Sequence, residues 1–112
     1  MPQPEAHMKT DWLDDAIRHL ESLCQEAAEF ADEGDIMPTR KSFMAASQIL
    51  RTFRKATPPK IGLTGNGELT LVWENTGDVF RAYAKPDGST QFFQNKQAVD
   101  MQSFSAVARL PA

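Results

Sequence analysis

The sequence predicts an α+β fold, an antiparallel two-helix hairpin packed on a four-stranded antiparallel β-meander. Three observations carry this. Up to Phe53, apolar residues recur every third or fourth position, the spacing of a helix face. From Lys60 onward the period drops to two, the spacing of a half-buried strand. Turn signals then punctuate the chain at Gly65-Asn66-Gly67, Thr76-Gly77 and Pro86-Asp87-Gly88. The chain has 112 residues, enough for one core without a disulfide or metal staple. It divides into a tail (1–8), a helical hairpin (10–57), a meander (60–94) and a C-terminal segment (95–112).

Two prolines and no periodicity mark residues 1–8 as a frayed tail. The first helix starts at Thr10 or Asp11, either of which offers a capping oxygen, with Asp14 and Asp15 in the first turn where the dipole favours acids. Its stripe is Leu13, Ile17, Leu20, Cys24, Ala27 and Ala31, widened by Trp12, Ala16, Leu23, Ala28 and Phe30. Gly34 is the expected stop. The second helix is expected from Pro38, which suits a first helical turn, to the bases Arg51, Arg54 and Lys55, and Pro58-Pro59 forbids continuation. Phe43, Ala46, Ile49 or Leu50, and Phe53 mark its buried face. Only about four residues separate the helices, and so short a connection makes them antiparallel neighbours.

Strands follow at roughly 60–64, 68–75, 78–85 and 89–94. A two-residue turn at Thr76-Gly77 pairs Trp73 with Phe80, Leu71 with Ala82 and Leu69 with Ala84. A three-residue loop with Gly88 in the left-handed position pairs Ala82 with Phe92. The same loop type at Gly65-Asn66-Gly67 pairs Leu63 with Leu69 and Ile61 with Leu71. A register slip of one residue would flip every side chain, and this register keeps the apolar set on one face. The opposite face carries Thr70, Val72, Glu74, Val79, Arg81, Tyr83, Gln91 and Phe93. It is apolar enough to expect a cover. Either the C-terminal segment folds over it through Phe104, Val107 and Leu110, with a short helix near 101–109, or another chain does.

The net charge of −3 hides a division. Residues 1–36 hold ten acids against Lys9 and Arg18, whereas residues 37–60 hold six bases and no acid. Antiparallel packing sets the acidic helix beside the basic one, so mutual attraction explains the bases more simply than a nucleic-acid surface. If nucleic acid is the ligand instead, Arg40, Lys41, Arg51, Arg54 and Lys55 of segment 38–55 are the candidates, or the outer sheet face with Tyr83, Phe93 and Arg81 as a stacking platform.

Chemistry-bearing motifs are few. Apolar residues make up 41% and charged ones 24%, the balance of a globular domain rather than a disordered chain. A single cysteine, Cys24, excludes an intrachain disulfide and a cysteine-based zinc site. His19 and Cys24 are five apart and do not stack as i,i+4 partners, and Cys24 falls on the apolar stripe. Gly62, Gly65 and Gly67 lack the following helix and Lys-Ser/Thr pair of a phosphate loop. The expectation is a protein that is not an enzyme and uses no cofactor and no metal. No apolar run reaches the length of a membrane span, and the opening Met1-Pro2-Gln3-Pro4-Glu5 has no signal-peptide pattern, so the expected compartment is the cytoplasm, with no membrane partner.

Pro58-Pro59-Lys60-Ile61-Gly62, then Asn66-Gly67-Glu68-Leu69-Thr70-Leu71-Val72-Trp73-Glu74, Pro86-Asp87-Gly88-Ser89 and Phe92-Phe93 together resemble a pattern in small uncharacterised bacterial proteins. The resemblance covers residues 58–94. The family has no assigned activity, and the resemblance implies one member of a paired two-gene system, such as toxin with antitoxin. The expected function is therefore non-catalytic protein binding, to a neighbour-encoded chain or to a second copy as a dimer. Its expected site is the outer sheet face, at Val72, Glu74, Arg81, Tyr83 and Phe93, because aromatic residues and Arg are enriched at interface cores.

Overall fold

The architecture was read from a computed structural model, which describes residues 12–75 and 77–104. Helices α1 (Leu13–Glu29) and α2 (Arg40–Thr52) lie on one face of an antiparallel sheet of β1 (Lys60–Leu63), β2 (Leu69–Asn75), β3 (Asp78–Ala84), β4 (Thr90–Gln94) and β5 (Gln97–Val99). The single turn α3 (Met101–Phe104) comes next. The strands are ordered β1-β2-β3-β4-β5, a plain meander.

The sheet has five strands rather than the expected four. Gln94 pairs with Gln97 across a tight Asn95-Lys96 turn, with Asn95 at φ 59°, so the chain reverses once more and adds β5. Asparagine tolerates this left-handed conformation better than most residues. The Asn95 side chain also joins the ladder, accepting from the Val79 N–H at 3.0 Å and donating to Asp78 at 3.1 Å. The other strand pairings follow the register expected from the sequence: Leu63–Leu69, Ile61–Leu71, Trp73–Phe80, Leu71–Ala82, Leu69–Ala84 and Ala82–Phe92.

Both three-residue loops close in the same way. The Thr64 N–H donates to Glu68 O while the Gly67 N–H donates to Thr64 O, and Lys85, Ser89 and Gly88 repeat the arrangement. Each glycine takes the left-handed position, Gly67 at φ 75° and Gly88 at φ 91°. Gly67 has a second constraint. A Cβ there would stand 2.7 Å from the Met37 carbonyl oxygen, because the segment joining the helices crosses the hairpin tip at that point. Gly67→Ala is therefore expected to lower stability by about 1–3 kcal/mol in urea melts. Gly65→Ala, whose added Cβ meets nothing within 4 Å, is expected to change it little. Equal losses for the two would show that the crossing imposes no constraint of its own.

The helices are antiparallel. Trp12, before α1, donates its indole N–H to Ala56 O beyond α2 at 3.0 Å, while Glu21, Cys24 and Gln25 of α1 share a cleft with Thr39, Arg40 and Phe43. Several local expectations are corrected. Residue 12 caps α1 without a side-chain bond, and Thr10 and Asp11 lie outside the described residues. Helix α1 ends at Glu29, with Phe30 donating to Glu26 O, so Ala31 is outside it and Gly34 sits in a later turn. The connection therefore runs from 30 to 39 and is longer than expected. Its end is fixed by Thr39 rather than Pro38. The Thr39 hydroxyl accepts from Ser42 N–H, the Ser42 hydroxyl accepts from Thr39 N–H, and the Thr39 hydroxyl donates to Pro86 O. This capping box outcompetes Pro38 because it satisfies two otherwise orphan donors.

The core is one cluster. Leu13, Ala16 and Leu20 of α1 and Ala46, Ile49 and Leu50 of α2 meet Leu69, Leu71, Trp73, Phe80, Ala82, Ala84 and Phe92, with Ile17 and Phe43 at its margin. Ala82 and Ala84 are fully covered, as small residues beneath a close helix should be. Phe104 joins this cluster. Its ring stands 5.6 Å from Phe53, 5.7 Å from Trp73, 5.9 Å from Phe80 and 4.8 Å from Phe92. The expectation that Phe104 covers the outer face is thus overturned. Once β5 reverses the chain, α3 falls on the helix side and fills the corner over β4 and β5 that α1 and α2 leave open. Val107 and Leu110 lie outside the described residues.

Candidate functional site

Among the described residues all three helices pack on the inner side of the sheet, and none packs on the outer side. The alternation along β2, β3 and β4 therefore delivers Val72, Glu74, Arg81, Tyr83 and Phe93 to one open surface. Val72 pairs with Arg81 and Arg81 with Phe93, so three of the five form a row across the central strands. Tyr83 stands one row along, its ring edge-on to Phe93 at 5.6 Å and 89°. Val72, Arg81, Tyr83 and Phe93 are half-buried. Glu74 is exposed and sits at the rim, paired with Lys60 at 3.6 Å. Arg81 donates to Asn95 O at 3.4 Å, a long contact that uses one of its five guanidinium donors. The face is thus an apolar centre with one cation in the middle.

The five bases are not brought together as one patch. Arg40 and Lys41 occupy the first turn of α2, and Arg51 the last, about 16 Å away along the axis. Lys41 lies against Gly88 in the β3–β4 loop. Among the described residues Arg18 pairs with Asp15 within α1 at 3.1 Å, and Lys60 pairs with Glu74 across the sheet at 3.6 Å.

Elsewhere a cleft of about 610 Å³ lies between the second half of α1 and the start of α2. Burial pushes the pKa of its Cys24 thiol above the usual value. The Thr39 hydroxyl on its wall is already spent on Ser42 and Pro86. Asp87 is held below the usual carboxylate range by the Ser89 hydroxyl and N–H, which makes it a turn residue. Among the described residues no cluster of three His, Cys, Asp or Glu is placed to hold a metal ion. No helix there is long and apolar enough to cross a membrane.

Sequence reasoning misses one surface. Phe30 and Ile36 are 77% and 53% exposed. Phe30 reads as part of the helix stripe and Ile36 has no periodic partner, although their position among five acids around Gly34 already sets them apart from a buried face. No family model, curated protein or solved structure matches the chain.

Proposed function

We propose that the protein is a non-catalytic binding module whose outer sheet face docks a partner protein. The observation that carries this is the Val72–Arg81–Phe93 row with Tyr83 beside it, open on the side away from every described helix. Those residue types supply apolar area at little entropic cost and one directional cation. A partner with an apolar centre and a carboxylate opposite Arg81 fits best. A second copy fits less well, because a two-fold axis through the middle of the face would set Arg81 near its own image. A paired two-gene system is consistent with a different chain as partner. Five strands at about 4.8 Å spacing and seven residues of strand give a face of about 19 by 24 Å. Such a face places the contact at the small end of stable interfaces, where transient complexes lie.

Tyr83→Ala and Phe93→Ala are each expected to weaken capture of the partner about tenfold while the fold survives. Losing their mutual edge contact costs about 0.5–1.5 kcal/mol of stability, a loss the domain can bear. The readout is pull-down from the source cell with wild type and both variants, after sedimentation of the isolated chain. Variants that capture every wild-type partner equally would end the proposal. A second reading, nucleic-acid binding, has one observation in its favour: Lys41, Met44, Gln48 and Arg51 fall on one exposed stripe of α2. Salt-sensitive DNA or RNA binding that disappears in Arg51→Glu with Lys55→Glu would promote it over the first.

A further inference from the structure

Among the described strands, β1 is an edge of the sheet. Its hydrogen-bonding direction can be worked out from the hairpin. Thr64 closes a bonded pair with Glu68, so Gly62 and Lys60, two and four residues back, also face β2 with their backbone groups. Ile61 and Leu63 then turn two N–H and two C=O groups outward. Edges of this kind are templates for another strand unless they are blunted. Lys60, the usual kind of blunting residue, lies at the far end on the outer face and is paired with Glu74.

Beside Leu63 the inner flank of this edge opens into an apolar hollow of about 200 Å³ lined by Ala27, Phe30, Ile36, Met37 and Leu63. Phe30 and Ile36 are its exposed rim. Asp35 also lines it, and Glu26, Glu29, Asp32 and Glu33, all exposed, lie on the same stretch of chain as Ala27, Phe30 and Ile36. The Asp32 N–H donates to the Asp35 carboxylate at 2.7 Å, which fixes the turn that presents them. No Lys or Arg occurs between Arg18 and Arg40 to neutralise them.

We propose that this edge accepts an extended, basic segment of a partner protein as a sixth strand, with one apolar side chain seated in the Phe30–Ile36 hollow. The backbone groups of Ile61 and Leu63 supply the ladder, the hollow supplies an anchor, and the acids select lysine- or arginine-rich flanks. The acids at residues 26–35, with no base among them, favour a basic segment of another protein over a second copy of a chain whose net charge is −3. This site is separate from the outer face and stands or falls independently of it.

The probe is a fluorescein-labelled nonapeptide alternating lysine with valine and leucine, titrated by anisotropy with the full chain. Binding is expected to weaken steeply as salt rises from about 0.05 to about 0.5 M. The double change Phe30→Asp with Ile36→Asp is expected to weaken it at least about tenfold. Both residues are exposed, so the fold should tolerate the change, and circular dichroism checks this. Two further peptides carry backbone N-methyl groups on alternate residues. One set removes the N–H groups that face β1 and should abolish binding, whereas the other set should bind as the parent does. The amide protons of Ile61 and Leu63 should gain exchange protection on binding.

No binding, equal binding of a glutamate-for-lysine peptide, or equal binding of both methylated sets would overturn the proposal. So would loss of binding in Tyr83→Ala, which would move the peptide to the outer face. A dimer of the isolated chain that disappears in the Phe30→Asp, Ile36→Asp variant would also overturn it, by giving the edge to a second copy.

Discussion

Trp73→Ala is expected to lower the unfolding free energy by about 3–5 kcal/mol. Trp73 is 1% exposed, touches Phe53 at 5.7 Å and Phe104 at 5.7 Å, and donates its indole N–H to Thr57 O at 2.9 Å. Truncation opens a cavity under α2 and leaves the Thr57 carbonyl without its donor, and the two losses act in the same direction. Against a total stability of about 5–15 kcal/mol for a domain, a loss of this size brings the chain near unfolding at room temperature. Urea denaturation followed by far-ultraviolet circular dichroism measures it. A loss below about 1 kcal/mol would show that the helices do not cover β2 as described. Trp73→Phe, which keeps most of the ring area and drops the hydrogen bond, is expected to fall between wild type and Trp73→Ala.

Phe104→Ala is expected to cost about 2–4 kcal/mol, somewhat less than Trp73→Ala. Phe104 is fully buried with four aromatic neighbours, so its ring is as well packed as that of Trp73. The two sites differ in how the backbone responds to truncation. Residue 73 is held in a central strand, so its cavity persists. Residue 104 ends a single helical turn, and without its ring the turn can undock and recover conformational entropy. The two residues touch, so the double variant should lose less than the sum of the singles, with a coupling of about 0.5–3 kcal/mol. Strict additivity would place Phe104 away from Trp73. A loss under about 1 kcal/mol for Phe104→Ala alone would mean that α3 contributes little to the domain.

The meander was legible because two independent signals agreed. Period-two alternation chose the inner set, and the glycine loops fixed loop length, which fixes register. Either alone leaves a one-residue slip open at the first hairpin. Strand β5 was not legible for the converse reason. Gln97 and Ala98 are exposed, only Val99 points toward the core, and the Asn95-Lys96 turn has no glycine. Nothing in three such residues distinguishes a strand from a loop. Missing that reversal sent Phe104 to the wrong side of the sheet, since each extra antiparallel strand changes where the next segment emerges.

The helix connection is not legible in the sequence, because propensity is blind to tertiary partners. Gly34 is a good stop, but α1 ends earlier, and Thr39 caps α2 with help from Pro86, distant in sequence. The outer-face residues were legible as a set, because they are what the inner register leaves over. Phe30 and Ile36 were not, because a short acidic connection gives no sign of which apolar residues it turns outward.

The two indole N–H groups land on consecutive carbonyls, Trp12 on Ala56 and Trp73 on Thr57. One bond spans 44 residues of chain and the other 16, and both end in the short passage between α2 and β1. That passage works as a keystone, since the start of the helical layer and the middle of the sheet each lean on it from opposite sides. The chain has two tryptophans, so its intrinsic fluorescence is in effect the optical signature of this one crossing. A helical layer and a sheet tied at a common point lose both ties together, and the emission of both indoles should redden in a single step.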